Sequence, residues 1–278
     1  MPPAKQRRRR PAKKAEKKME EVAQKVYNKN VENKQAIFDL VDRKPYAAIL
    51  TGDVANAVIP AQRPNGVNSN YYQLLPAINQ SISGEAARKY NSRVGNEILL
   101  RSIRIKGFLE YDLSFATDTF PANKKLLVRL MVVSAKRAGN YSTAFTNISD
   151  RMLTNGFNAG ENTGPFTGAT INGIQEINRD VFTVHYEKKF YLTAPVLLPG
   201  STTPDVGVNP STLKFIDKTI NFGGKAGKKL NFANAGATIP EDFSPFIVIG
   251  YSSVSHNAVP SNGLVSFTYN SIATYTDA

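Results

Sequence analysis

Residues 103–115 alternate with a period of two. Ile103, Ile105, Leu109, Tyr111, Leu113 and Phe115 are apolar, with Gly107 the one break on that face, and Arg104, Lys106, Glu110, Asp112 and Ser114 take alternate places. Neighbouring side chains of a strand point to opposite faces, so this run is a strand with one face in a core and the other turned away from it. Gly107 predicts a bulge or bend inside it. Nowhere does such a strand give way to a long amphipathic helix and then to another strand, so the parallel α/β architectures are excluded.

Other stretches carry related signals. KLLVRLMVVSA at residues 125–135 is apolar on nearly both faces, broken by Arg129, which is the pattern of a central strand. Residues 181–193 alternate Phe182, Val184, Tyr186, Phe190 and Leu192 against Thr183, His185, Glu187, Lys189 and Tyr191, with Lys188 as the one breach. Strands are also expected at 213–222, 246–254 and 264–275. Between them, residues 141–153 predict a short connecting helix through Phe145, Ile148 and Met152. Residues 156–173 hold five glycines and predict an exposed loop that passes into a short strand at 171–177. Residues 195–210 form a second long loop. The expected fold is all-β: an eight-stranded antiparallel jelly-roll sandwich.

Ahead of it lies a different kind of sequence. The first eighteen residues, MPPAKQRRRRPAKKAEKK, carry Lys5, Arg7, Arg8, Arg9, Arg10, Lys13, Lys14, Lys17 and Lys18 against Glu16 alone. Nine cations less one carboxylate give +8 of the chain's +13. So dense a like charge repels itself and buries nothing apolar, so the stretch is expected to stay disordered until a polyanion neutralises it. A short amphipathic helix follows at 15–33, where Ala15, Met19, Val22, Ala23 and Val26 recur at helical spacing. Pro45, Pro60 and the Pro64-Asn65-Gly66 turn then punctuate an irregular arm. The expected division is a basic arm with its helix at 1–40, the irregular arm at 41–91 and the sandwich at 92–278.

Much chemistry is excluded. With no cysteine, disulfide scaffolds, thiol catalysis and thiolate metal sites are absent. The two histidines, His185 and His256, stand 71 residues apart and read as structural, and Ser252, Ser253 and Ser255 lack a nucleophile elbow. GGKAGKK at 223–229 resembles a phosphate loop, but the first glycine and the hydroxyl residue of that pattern are replaced by Phe222 and Lys229, so a basic hairpin loop is expected. Glu110, Asp112 and Asp118 lack the spacing of a calcium loop. No catalytic residue, cofactor or metal is assigned, and the chain is not expected to be an enzyme. No run approaches a membrane span, and the charged start lacks the apolar segment of a secretory signal, so a soluble protein is expected.

The basic arm, the RVGNEI segment at 93–98 leading into LLRSIRIKGFLEYDL, then KLLVRLMVVSAK, HYEKKFYL, and the Lys-rich INFGGKAGKKLNF before PFIVIGYSS follow one another in a familiar order. The chain resembles the single jelly-roll capsid proteins of small circular single-stranded DNA viruses, the circovirus-like group. That resemblance implies a homo-oligomeric icosahedral shell of sixty copies with the arm inside on the viral genome, single-stranded DNA being favoured over RNA. Sixty arms would bring about 480 positive charges to the packaged phosphates. It also implies assembly in the host nucleus, for which RRRRPAKK fits recognition by nuclear import factors, and a host cell receptor contacting the loops at 156–173 and 195–210. Arg104 and Lys106, turned away from the core, are expected to add a fixed basic surface or to form a subunit contact. Two rival classes remain: a nucleoprotein that coats single-stranded nucleic acid without closing a shell, and a cupin-like enzyme. The first calls for aromatics interleaved with basic residues on a sheet face, the second for a cluster of histidines and carboxylates.

Overall fold

A computed structural model describes residues 33–46, 71–80, 92–113, 124–136, 151–154, 166–195, 211–224, 226–243, 245–254, 259–261 and 263–277, with Lys18, Met19 and Val22 as isolated positions. Among them nine strands form two antiparallel sheets, and no helix is long and apolar enough to cross a membrane. One sheet sets β1 (Lys34–Tyr46), β9 (Val265–Asp277), β3 (Glu97–Tyr111) and β6 (Leu213–Asn221) side by side. The other sets β2 (Tyr71–Gln73), β8 (Pro245–Ser253), β4 (Lys125–Ala135) and β5 (Phe182–Thr193) in that order. The short β7 (Lys228–Asn231) pairs with the first residues of β3, below the part of β3 that pairs with β6.

Strands expected at 103–115, 125–135, 181–193, 213–222, 246–254 and 264–275 correspond to β3, β4, β5, β6, β8 and β9. β1 and β2 were not expected, and they recruit residues ahead of 92 into the sheets. The helix expected at 15–33 falls almost wholly outside the described residues, as does that at 141–153, whose last residue, Leu153, is instead bridged antiparallel to Ile177.

The main core lies between the sheets. Ile98, Leu100, Ile103, Ile105 and Leu109 of β3 meet Leu126, Val128, Leu130 and Val132 of β4, with Ile249 and Tyr251 of β8 and Phe267 and Tyr269 of β9 among them. A second cluster covers the opposite face of the β2-β8-β4-β5 sheet, where Met131, Val133, Phe182, Phe246 and Val248 pack under Met152, Leu153, Phe166 and Ile177. β8 is therefore buried at every position. Each such side chain contributes about 1.5–3 kcal/mol on burial.

The covering segment is held by backbone bonds from Thr154 N–H to Glu176 O and from Asn178 N–H to Met152 O, 2.9 Å each. Its middle is not the strand expected at 171–177 but a 3-10 turn, Thr170–Gly173. The buried Asn172 explains the difference. Its Oδ1 accepts from both the N–H and the hydroxyl of Thr167, 2.8 Å each, which curls the chain locally instead of leaving it open for a ladder.

Gly107 is no bulge. Its register is continuous with both neighbouring strands, and the shift in β3 lies between Leu100 and Ser102. The glycine is required because a Cβ there would stand 2.4 Å from Thr268 O and 2.8 Å from the Tyr269 Cβ, so β9 has come closer than any side chain permits.

At the entrance to β3 the buried Arg93 donates to the carbonyls of Gly95, Asn234 (2.7 Å) and Ala237 (2.8 Å), and its guanidinium lies 4.3 Å from the Phe232 ring centre. Burial lowers its pKa from the ordinary arginine value, an effect opposed by Tyr275. One arginine thus anchors the loop between β7 and β8 to the start of β3. In urea unfolding, Gly107→Ala is expected to cost about 3 kcal/mol by overpacking. Gly95→Ala, where an added Cβ meets nothing closer than 4.0 Å, should stay within about 0.5 kcal/mol of the parent.

Candidate nucleic-acid interface

Of the basic residues singled out in the sequence, Lys5, Arg7, Arg8, Arg9, Arg10, Lys13, Lys14 and Lys17 lie outside the described residues, and Lys18 is exposed. Arg104 and Lys106 project from β3 on the face away from the core, as the alternation requires. They do not make a purely basic surface. Arg104 donates through Nε (2.8 Å) and Nη2 (2.7 Å) to the two carboxylate oxygens of Asp217, a two-pronged pair across to β6. Lys106 stands opposite Asp217 in register. The Arg104 hydrogen bonds, with both cations nearby, hold the Asp217 carboxyl below its ordinary value. Two cations and one carboxylate leave a single net positive charge, flanked by the exposed Phe108 and Phe215, whose rings are 5.4 Å apart.

The glycine-rich segment joins two strands that both pair with β3, not a strand to a helix. Gly223, Gly224 and Gly227 all have positive φ, and a Cβ on Gly223 would collide with Gly227 at 2.1 Å, so the glycines serve a tight turn. Its two following lysines are occupied: Lys229 pairs with Glu97 at 2.8 Å, and the Lys228 ammonium lies 4.6 Å from the Phe243 ring centre.

His185 is the extra residue of a bulge. The pairing of β4 with β5 slips between Val132 and Val133, which face Tyr186 and Val184 respectively. As a result Phe182 joins the outer cluster while Phe190 and Leu192 join the main core, although all three share one parity in the sequence. The His185 ring shares a 2.8 Å hydrogen bond between Nε2 and the Ser134 hydroxyl, and stacks edge-on against Phe222 and Phe243 at 5.1 and 5.8 Å. Burial, and secondarily the nearby Lys228 charge, push its pKa down to about 4. His256 lies outside the described residues. Among those described, no three His, Cys, Asp or Glu side chains gather closely enough to hold a metal ion.

The cation the sequence marked only as an interruption, Arg129, is almost fully buried on the outer side of β4. Its Nη1 donates to the carbonyls of Asn172 and Gln175, 2.6 Å each, and Nε (3.1 Å) and Nη2 (2.5 Å) donate to Glu187 on β5. It closes the floor of an open cleft between residues 174–179 and β5. A charge inside a run of otherwise apolar strand residues was the available signal for this site.

No protein-family model matches the chain, and no curated protein is significantly similar to it.

The folded His185 pKa lies below the ordinary 6.5, so between pH 6.5 and 4 the unfolded chain binds a proton that the folded one does not. Stability is therefore fully present above about pH 6.5 and is lost as pH falls toward 4. The ring is partly exposed, which reduces the loss to about 1–2 kcal/mol. His185→Gln, which keeps a hydrogen-bonding group for Ser134 and cannot titrate, should flatten this part of the urea-unfolding pH profile.

Proposed function

We propose that this chain is the subunit of a viral capsid, a jelly-roll protein that assembles into an icosahedral shell with its basic N-terminal arm inside, holding a single-stranded genome. The observation that carries the reading is the strand order. Setting aside β7, the chain alternates between sheets so that 1-9-3-6 faces 2-8-4-5, and only β4 and β5 are neighbours both in sequence and in a sheet. Two interleaved Greek keys give this order, and double-sheet jelly rolls of eight strands recur in viral shells. The +8 stretch lies fifteen residues ahead of the first strand, free of any motif that reads bases, and suits phosphate neutralisation without sequence preference.

Single-stranded DNA is the favoured genome, assembly in the host nucleus fits RRRRPAKK, and the loops at 156–173 and 195–210 are the proposed receptor-facing surface. Sixty copies fit a subunit with one β domain. Arg104, tied to Asp217, and Lys106 beside it would give the shell's folded wall a weaker electrostatic contribution than the arm.

Negative-stain microscopy of the purified full chain is expected to show closed particles containing nucleic acid. A chain beginning at Asn33, which keeps all of β1, should give particles with a much lower absorbance ratio at 260 over 280 nm. Monomers alone across salt and pH conditions would refute the shell, and nucleic-acid-bearing filaments would favour the open nucleoprotein instead. Arm-less particles as rich in nucleic acid as the parent's would refute the arm's role.

A further inference from the structure

We infer that the outward face of β5, with the cleft beside it, is a second and folded contact site for single-stranded nucleic acid. The cleft, of about 260 Å³, has Arg129 and Glu187 as its floor, and these neutralise each other. Its rim does not balance. Arg179, Lys188 and Lys189 face Glu176 as the one remaining carboxylate of the lining, which leaves three cations against one anion. One step further along β5, Tyr191 is 54% exposed, and the Lys125 ammonium of β4 lies 5.2 Å from its ring centre. Glu187, Lys189 and Tyr191 share one face of the strand, spaced about 6.7 Å apart. Among the described residues, Lys125, Arg179, Lys188 and Lys189 make no ion pair with a carboxylate.

The arrangement selects its ligand class. Lys188 and Lys189 of the edge strand, Arg179 across the cleft and Lys125 on the neighbouring β4 outnumber the single rim carboxylate of Glu176, and an excess spread over three elements suits an extended polyanion better than one compact anion. The exposed tyrosine beside them offers a flat ring of the kind on which a base stacks, and Ile174, 66% exposed on the cleft's wall, adds apolar surface. Aromatics interleaved with basic residues are the combination by which proteins hold single strands without reading sequence. β5 presents them because it is the last strand of its sheet, so Lys188, which falls in the inward register with Phe190 and Leu192, escapes burial and lies 5.1 Å from the Phe190 ring centre. The ligand class rests on the packaging reading above, while the residues are separate from the arm.

Photocrosslinking of the full chain to a bromodeoxyuridine-substituted oligothymidine, mapped by mass spectrometry, is expected to label Tyr191 in addition to the arm. In the full chain, Tyr191→Ala should weaken oligothymidine binding about fivefold at moderate salt, consistent with the loss of one stacked base. Lys188→Ala with Lys189→Ala should lower the slope of log affinity against log salt by about 1.4. Thermal unfolding checks that these surface variants remain folded. Crosslinks confined to the arm, with the slope unchanged, overturn this inference and leave the shell reading standing. Labelling of Tyr191 by a chain that forms no particles supports the site while the shell reading fails. If heparin binds and loses affinity in the lysine variant but Tyr191 is never labelled, the face is a sulfated-polysaccharide site and the inference is overturned.

Discussion

The second sheet depends on one buried cation. Arg129 sits mid-strand in β4 with its charge away from water, a placement that costs several kcal/mol unless every donor is matched. Glu187 supplies the countercharge from β5, and the carbonyls of Asn172 and Gln175 take the remaining prong. The same bonds give partners to carbonyls at the end of the 3-10 turn, which would otherwise be stranded against an apolar sheet. The arginine therefore joins central strand, edge strand and covering segment at one point. With the segment pinned, Phe166 can pack on β8 so closely that a Cβ at Gly250, opposite Arg129 in register, would come within 2.7 Å of its ring. The cleft exists for the same reason, since its floor is this ion pair and its far wall is the segment that the arginine holds.

What could be read from the sequence follows from which elements obey a simple period. β3, β4, β8 and β9 are long, and their burial repeats nearly every second residue or is nearly complete, so pattern alone locates them, whereas in β6 only Ile216 and Ile220 are buried. β2 is three residues and β7 four, two of them lysines, too short for any period to register. β1 is long, but its pairing with β9 slips between Phe38 and Val41 and again between Val41 and Lys44, which scrambles the alternation that would have marked it. In β5 the alternation was visible and still misled. The bulge at His185 turns the strand over, so residues of equal parity serve opposite cores.

The site was legible to a similar depth. That Arg104 and Lys106 point outward followed from parity, but Asp217 comes from 113 residues away, and only the pairing of β3 with β6 brings it alongside. Lys188 was noticed as a fault in a pattern. Its meaning depends on β5 lying at a sheet edge, which is a property of topology and cannot be read within one strand.

The charge balance separates the arm from the body. Among the described residues, four cations have a carboxylate partner: Lys34 with Asp277, Arg104 with Asp217, Arg129 with Glu187, Lys229 with Glu97. The first eighteen residues carry nine cations and a single carboxylate, Glu16. Outside them the chain has 26 of the 35 basic residues and 21 of the 22 acidic ones, so the remainder is itself +5 and its acids are already outnumbered. Docking the arm onto its own body, or onto the body of another copy, would add positive charge to a surface that is net positive, and copies gathered together would raise the repulsion further. In the proposed assembly of such chains, a polyanion that neutralises the arms would relieve this repulsion. In the proposed shell, genome and subunit would thus be coupled by electrostatics: contacts between folded bodies would close the particle, and the charge left unmatched would favour filling it.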